Sequence, residues 1–174
     1  VAFEAFKAGE FDFYIEQQAK NWANGYNFPA LNRGEVVRAE IPHKIPTQTQ
    51  ALFMNSRRAT FSDSRVREAL GLMFDFEWTN RTLFNNAYTR ANSYYPNSEF
   101  TATGKPKGAE WLLLSAVRDQ LPKGLLTEPF KMPHTEGHGI PRETLRKALG
   151  LLADAGWETG STGLENAKGQ PLQF

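Results

Sequence analysis

Apolar positions along the chain recur at helical spacing in some blocks and alternate in others, and the two patterns divide the sequence. Residues 1–8 carry Val1, Ala2, Ala5 and Ala8 at helical spacing with Phe3 and Phe6 adding bulk, and Gly9 suits a helix stop. Phe11, Phe13 and Ile15 then alternate with Asp12, Tyr14 and Glu16, the pattern of a half-buried strand. Residues 17–23 fit a short helix ending near Gly25. The stretches 36–41 and 49–54 are the next strand candidates, separated by Pro42 and Pro46. Proline cannot donate to a central ladder, so both prolines belong at strand ends or on an edge.

The strongest helical pattern covers 62–76. Ser62 can cap its first turn, Asp63 suits the positive helix start, and Val66, Ala69, Leu70, Met73 and Phe74 form one apolar stripe. Further helices are expected over 78–85 and 109–120. Between them, 88–107 is rich in Asn, Ser, Thr, Tyr, Gly and Pro and reads as loop. A loop of that length in a compact domain is often functional. Residues 121–139 hold Pro122, Pro129 and Pro133 and read as irregular. A helix over 141–155 follows, with Leu145, Ala148, Leu149 and Leu152 as its core face, Gly156 as its stop and Trp157 as an aromatic plug. The expected architecture is α+β, a single domain over 1–174. Helices 62–76 and 141–155 would pack on a small mixed sheet of strands near 11–15, 36–41 and 49–54.

Composition narrows the function classes. With 40% apolar, 13% aromatic and 22% charged residues, the 174-residue chain can build an ordinary core. Its 20 basic and 19 acidic side chains leave a net charge of +1, without the surplus of positive charge that nucleic-acid binding needs. No apolar run approaches the roughly 20 residues that span a bilayer. The absence of cysteine removes disulfides and thiolate metal sites. The sequence opens on Val1 and ends in the apolar run Gln170-Pro-Leu-Gln-Phe174, so an excised piece of a longer protein is expected.

Candidate chemistry is sparse. His134-Thr-Glu-Gly-His138 places two imidazoles four apart, but a zinc-protease helix needs its glutamate directly after the first histidine. Here Glu136 is out of place, Pro133 and Gly137 oppose a helix, and no third ligand is evident, so a loop with locally bonded imidazoles and no metal is expected. Gly104-Lys-Pro-Lys-Gly108 lacks the Gly-Lys-Ser/Thr ending of a phosphate loop, and Gly160-Ser-Thr-Gly163 is a polar turn rather than a nucleophile elbow. Asp75 and Glu77 read as closing one helix and opening the next. Arg57, Arg58, Arg65 and Arg67 form one basic cluster, but Asp63 and Glu68 among them favour structural ion pairing. What remains is the loop 84–95, where Phe84, Asn85, Asn86, Tyr88, Arg90, Asn92, Tyr94 and Tyr95 mix ring faces with amides and hydroxyls. That mixture suits a concave surface for peptide or sugar ligands.

Three segments in order carry a resemblance. Phe6-Lys-Ala-Gly-Glu-Phe-Asp12 resembles a lobe-crossing junction. Asn55-Ser-Arg-Arg-Ala-Thr-Phe-Ser-Asp63 with Arg65-Val-Arg-Glu-Ala-Leu70 and Asp75 resembles an Asn…Phe-x-Asp-x-Arg-Val-Arg-x-Ala-Leu signature. Ala148-Leu-Gly-Leu-Leu-Ala-Asp-Ala-Gly-Trp157 resembles a helix written Ala-x-x-Leu-Leu-x-x-Ala-Gly-aromatic. Together they resemble the peptide-type solute-binding proteins of ABC importers, extracellular solute-binding family five. Ile41-Pro-His-Lys-Ile-Pro-Thr47, Arg57-Arg58 and Asn85 to Tyr95 look most like the branch associated with oligopeptides and the peptide-nucleotide antibiotic microcin C.

The resemblance implies a piece of the second lobe of a type II periplasmic-binding-protein fold. It implies an oligopeptide or peptide-like ligand, a membrane permease as partner, a periplasmic setting, no cofactor and no catalysis. The strand 47–53 and the loop 84–95 are expected nearest the ligand cleft. Candidate contacts are Gln48, Thr49 and Gln50, whose side chains both donate and accept, with Phe84, Asn85, Tyr88 and Arg90. The rival readings are a metal- or serine-dependent hydrolase using His134, Glu136 and His138, and an interaction module that borrows the fold.

Overall fold

A computed structural model describes residues 1–161 and 163–174; Thr162, in the polar turn singled out above, lies outside them. The described residues form eight α-helices, one 3-10 turn and one two-stranded sheet, so the α+β class holds. The helices are α1 (Ala2–Lys7), α2 (Ala19–Asn24), α3 (Pro29–Asn32), α4 (Ala59–Ser62), α5 (Ser64–Leu72), α6 (Phe76–Leu83), α7 (Gly108–Ser115) and α8 (Arg142–Asp154). The strands β1 (Trp157–Thr159) and β2 (Leu164–Asn166) close the chain. No helix of the described residues is long and apolar enough to cross a membrane.

The main core lies where α5 packs on α8. Val66, Ala69 and Leu72 from α5 meet Ala148 and Leu152 from α8. Alanines on both sides let the helix backbones approach closely, and the fully buried Val66 fills the contact. Leu70, Met73, Leu151, Ala155, Trp157, Leu164 and Leu172 pack around it. Ala155 ends α8, and Gly156 follows with φ +85°, a left-handed conformation that glycine adopts without a Cβ penalty. This reversal brings Trp157 back onto the core. β1 and β2 pair antiparallel with Trp157 opposite Asn166 and Thr159 opposite Leu164. Lys147 on α8 bonds Glu68 on α5 at 2.8 Å along the exposed edge of the contact.

The expected helix 62–76 is shorter: α4 ends at Ser62, α5 runs only over Ser64–Leu72, and Phe76 already belongs to α6. Ser62 turns its hydroxyl back to the Ala59 carbonyl at 2.9 Å, inside α4. Asp63 caps α5 instead, accepting the Arg65 amide at 2.8 Å. The Arg67 guanidinium takes the last carbonyls of α4, Phe61 O at 2.5 Å and Ser62 O at 3.0 Å. A side chain from the first turn of α5 thus satisfies the carbonyl end of α4. The Arg65 guanidinium also bonds the Asp63 carboxylate and holds its pKa down to about 2. Two members of the arginine cluster are therefore structural, and Arg58 lies over the Phe61 ring at 5.8 Å.

Three expectations are corrected. The segments 11–15, 36–41 and 49–54 are not ladder strands; the only paired strands among the described residues are β1 and β2. Phe13, Ile15, Val37, Ile41, Leu52 and Phe53 are all exposed. A strand pattern needs neighbouring strands to complete its hydrogen bonds and cover its apolar face, and these segments find none. In the first segment the phase is also inverted: Tyr14, not its apolar neighbours, packs inward, stacked on Phe6 at 5.5 Å. The expected helix 109–120 stops at Ser115 and continues as a 3-10 turn, Arg118–Gln120. On α8, Leu145 and Leu149 are each 44% exposed, and the buried stripe runs through Ala148 and Leu152, with Leu151 and Ala155 partly buried.

A second, aromatic cluster lies near the start of the chain. Phe3, Phe6, Tyr14, Tyr26 and the buried Phe28 contact one another with ring centroids 5.1–6.4 Å apart. The Arg38 guanidinium sits 4.1 Å over the Trp22 ring, a cation–π contact on the rim of the cluster.

These burials set the stability expectation. Leu152→Ala should cost about 2–5 kcal/mol, because it opens a cavity between two helices. Leu149→Ala should cost about 1 kcal/mol or less, because nearly half of that side chain is already in water. Urea unfolding of the two variants beside the parent sequence measures both, and equal losses would contradict the placement of the helix face.

Candidate functional site

Two groups of polar side chains tie the irregular segments to the helices. The first centres on the start of α6. Asp75 caps that helix through the Trp78 amide at 2.9 Å, as its position between two helices predicted. Its carboxylate also accepts from the Thr135 hydroxyl at 2.5 Å and from the Gly139 amide at 3.0 Å. Glu77 accepts from the Thr135 amide at 3.1 Å and lies 2.9 Å from the same hydroxyl. Its other oxygen is 2.8 Å from Nδ1 of His134. The Thr135 hydroxyl in turn accepts the Gly137 amide at 3.1 Å, and the Arg81 guanidinium donates to the Gly137 carbonyl. The loop 134–139 is therefore clasped to α6 across about sixty residues of sequence, with Thr135 buried at its centre.

Glycine is needed in this clasp. Gly137 has φ +70°, and a Cβ there would sit 2.6 Å from Arg81 Nη1 and 3.2 Å from the Trp78 amide nitrogen. The electrostatics follow from the donors. Thr135, then the Trp78 and Gly139 amides, hold the Asp75 carboxyl below its ordinary range. Burial pushes Glu77 upward, but bonds from its own amide, from Thr135 and from His134 outweigh it, so Glu77 is also lowered. Asp75, Trp78, Arg81, Gly137, His138 and Gly139 line an open depression of about 440 Å³.

The second group holds the loop 84–97. Asn80 of α6 pairs its carboxamide with the Tyr88 peptide group, donating to Tyr88 O at 2.7 Å and accepting from Tyr88 N at 3.1 Å. The Phe84 and Tyr88 rings meet edge to face with centroids 4.9 Å apart, both partly open to solvent. Asn85 and Asn86 make the turn between them at φ 52° and 59°. Asparagine tolerates this left-handed region better than most side chains. Further along, Thr47 N donates to Pro96 O at 3.1 Å, and the Thr49 hydroxyl is 3.4 Å from Tyr94 O. Asn97 donates to the carbonyls of His43 at 2.9 Å and Ile45 at 2.8 Å. The segment 43–50 is thus laced to the loop mainly by side chains, with Thr47 and Thr49 facing it.

The sequence-derived candidates fall into three positions. Thr49 lies against the loop, and Gln48 and Gln50, on alternate positions of the same extended segment, are exposed. Phe84, Asn85 and Tyr88 share one turn next to Asn80. Arg90 lies further along the loop, its guanidinium 5.6 Å from the Phe74 ring centroid and 5.5 Å from that of Phe76. Burial lowers the Arg90 pKa, opposed by the charges of Glu77 and Asp75, and Nη1 is enclosed without a hydrogen-bond partner. None of these candidates lines the depression beside α6.

His134, Glu136 and His138 share no helix. The partner of His134 is Glu77, 57 residues away, so its bond is not the local one expected. Among the described residues no group of three or more His, Cys, Asp or Glu side chains is placed to hold a metal ion. Sequence reasoning missed Thr135, Gly137, Asn80 and Asn97. The one signal available was the polar-glycine composition of their segments.

Comparison with known proteins adds the family. The profile of the bacterial extracellular solute-binding proteins, family 5, middle part, matches residues 1–174. The chain belongs to that family. It is 43% identical over 175 residues to a protein of Escherichia coli K12 named uncharacterized protein YejA, a match that covers all of this chain and 29% of that protein. It is 38% identical to the peptidoglycan-binding protein YepA of Agrobacterium fabrum, over 99% of this chain and 29% of the relative. It is 36% identical to the probable peptide-binding protein YejA of the same organism, over 100% of this chain and 29% of the relative. The chain thus spans less than a third of the length of these relatives.

The clasp yields a pH expectation. A carboxyl whose folded pKa lies below its unfolded value contributes stability above the unfolded value and loses it as pH falls through the folded one. Asp75 and Glu77 are both lowered, so their contribution should be complete at neutral pH and fade below about pH 4, the ordinary carboxylate range. Thr135→Val should cost about 1–3 kcal/mol at pH 7 by leaving both carboxylates short of a donor. It should also lose less on acidification than the parent sequence. Urea midpoints of both proteins at pH 7 and pH 3 measure this, and identical acid sensitivity would contradict the clasp's role.

Proposed function

We propose that this chain is part of one lobe of a two-lobed substrate-binding protein that captures oligopeptides or peptide-like compounds for an ABC importer. The observation that carries this reading is the family match across all 174 residues. The printed name of one relative, a probable peptide-binding protein, points to the ligand class, and that of a peptidoglycan-binding protein agrees with a peptide-bearing ligand. The resemblance of 41–47 and 85–95 to the microcin C branch leaves that compound among the candidate ligands. The partner would be a membrane permease, and the setting the periplasm, in keeping with the family's extracellular description. The role is binding, not catalysis.

The chemistry of the two segments supports the ligand class. Gln48, Thr49 and Gln50 offer amide and hydroxyl groups able to meet a peptide backbone in either direction. Phe84 and Tyr88 offer exposed ring surface in the loop to which segment 43–50 is tied, and Asn85 adds an amide. Such a combination binds extended peptides through backbone polarity while accepting many side chains. Arg90, whose guanidinium lies against the Phe74 and Phe76 rings, would contribute its charge from the same loop.

In a two-lobed binder the ligand is buried by closure between lobes, so half of a cleft forfeits most contacts while the cost of immobilising the ligand remains. This chain alone should therefore bind peptides no tighter than about millimolar, or ~4 kcal/mol. A longer protein containing both lobes should bind far more tightly. In that protein, Gln50→Ala or Tyr88→Ala should each weaken binding by about 1–3 kcal/mol. Calorimetry on both proteins tests this, and micromolar binding by the 174 residues alone would overturn the half-cleft reading.

A further inference from the structure

Asn80 has an unusual number of duties for one residue near a helix end. Its backbone carbonyl accepts from Phe84 N at 3.2 Å and from Asn86 N at 2.9 Å. Its carboxamide brackets the Tyr88 peptide group from both sides, at 2.7 Å and 3.1 Å. A primary amide carries N–H donors and a carbonyl acceptor in one plane, and one of each meets Tyr88 as a neighbouring strand would, so Asn80 acts as a one-residue strand partner for Tyr88. Ala87 N closes the turn onto Phe84 O at 3.0 Å. Five consecutive residues are thereby folded back on the end of α6, with two of them in the left-handed region.

The outcome is a fixed pair of rings. Phe84 and Tyr88 stand edge to face with 84° between their planes, 38% and 45% exposed. Exposed ring faces held in a polar frame offer an apolar contact at little ordering cost, because the loop is already folded. The carboxamide of Asn80 is engaged with Tyr88, so Asn80 is not itself placed to greet a ligand. We infer that Asn80 is a positioning residue that holds Phe84 and Tyr88 as a preformed platform for one apolar side chain of the ligand. This rests on the peptide-capture reading above.

The test uses the longer protein, with a tripeptide carrying central phenylalanine and the same tripeptide carrying central glycine as probes. Calorimetry should show the parent protein preferring the phenylalanine peptide by about ten-fold, the worth of one side chain on an apolar surface. Asn80→Ala should bring that preference close to parity while leaving the glycine peptide's affinity unchanged, and Tyr88→Ala should weaken the phenylalanine peptide by more than the glycine peptide. The double variant should lose nothing further. Amide exchange at Tyr88 should quicken about ten-fold in Asn80→Ala, as expected for losing one hydrogen bond. Asn80→Asp keeps the acceptor for the Tyr88 amide but not the donor, and should retain part of the preference; it carries the comparison if the alanine variant does not fold. The inference is overturned if Asn80→Ala, or the aspartate variant in its place, keeps the full preference while Tyr88→Ala loses it. It is equally overturned if both peptides weaken by the same factor. Failure of the parent protein to bind either peptide would instead sink the peptide-capture reading, and the platform with it.

Discussion

The contact between α5 and α8 is the constraint on which the rest of this chain depends. Val66, Ala69 and Leu72 meet Ala148 and Leu152 across about eighty residues of intervening sequence. The intervening chain is long, mostly irregular and rich in proline, so the contact fixes two distant anchor points for it. The ends of α5 then become useful positions. Asp63 at the start and Asp75 just after the end are both capping carboxylates, each with additional donors. Beyond α8, the left-handed Gly156 returns Trp157 to the same core, and the small sheet follows from that return.

A different kind of bonding holds the loops. Segments 43–50, 84–97 and 134–139 have hardly any ladder of backbone bonds with the rest of the chain. They are held by side chains with paired or multiple hydrogen-bonding groups: Asn80, Asn97, Asp75, Glu77 and Thr135. Such attachment orders a loop without enclosing it, leaving Phe84 and Tyr88 in water and the depression beside α6 open. Surfaces that are both ordered and accessible are what the proposed capture of a peptide-like ligand needs.

The parts legible in the sequence were those governed by local pattern. The α5 and α8 helices, the Gly156 stop and the Asp75 junction follow from periodicity and capping, and the family followed from motifs lying on those elements. Boundaries failed where a neighbour intervened, as when Arg67 took the carbonyls of α4 and passed the cap from Ser62 to Asp63. Of the core face read for α8, Ala148 and Leu152 are buried and Leu145 and Leu149 are not: Leu149 and Leu151 flank the true stripe, and pattern alone cannot choose between them. The three strands failed for a larger reason. A strand-like pattern records what a segment can pair with, not whether a partner lies among the described residues. The clasp around Thr135 was invisible because its members lie about sixty residues apart, and the meaning of each depends on the others.

Amide hydrogen exchange on this chain alone tests the central claim most directly, because it ranks local stability residue by residue. If the α5–α8 contact organises the molecule, the slowest amides lie in 64–72 and 142–154. The expected strands 11–15, 36–41 and 49–54 then exchange at rates close to those of an open chain. Protection in those three segments equal to that of the two helices would contradict the account, since it would mean they had found sheet partners within these 174 residues.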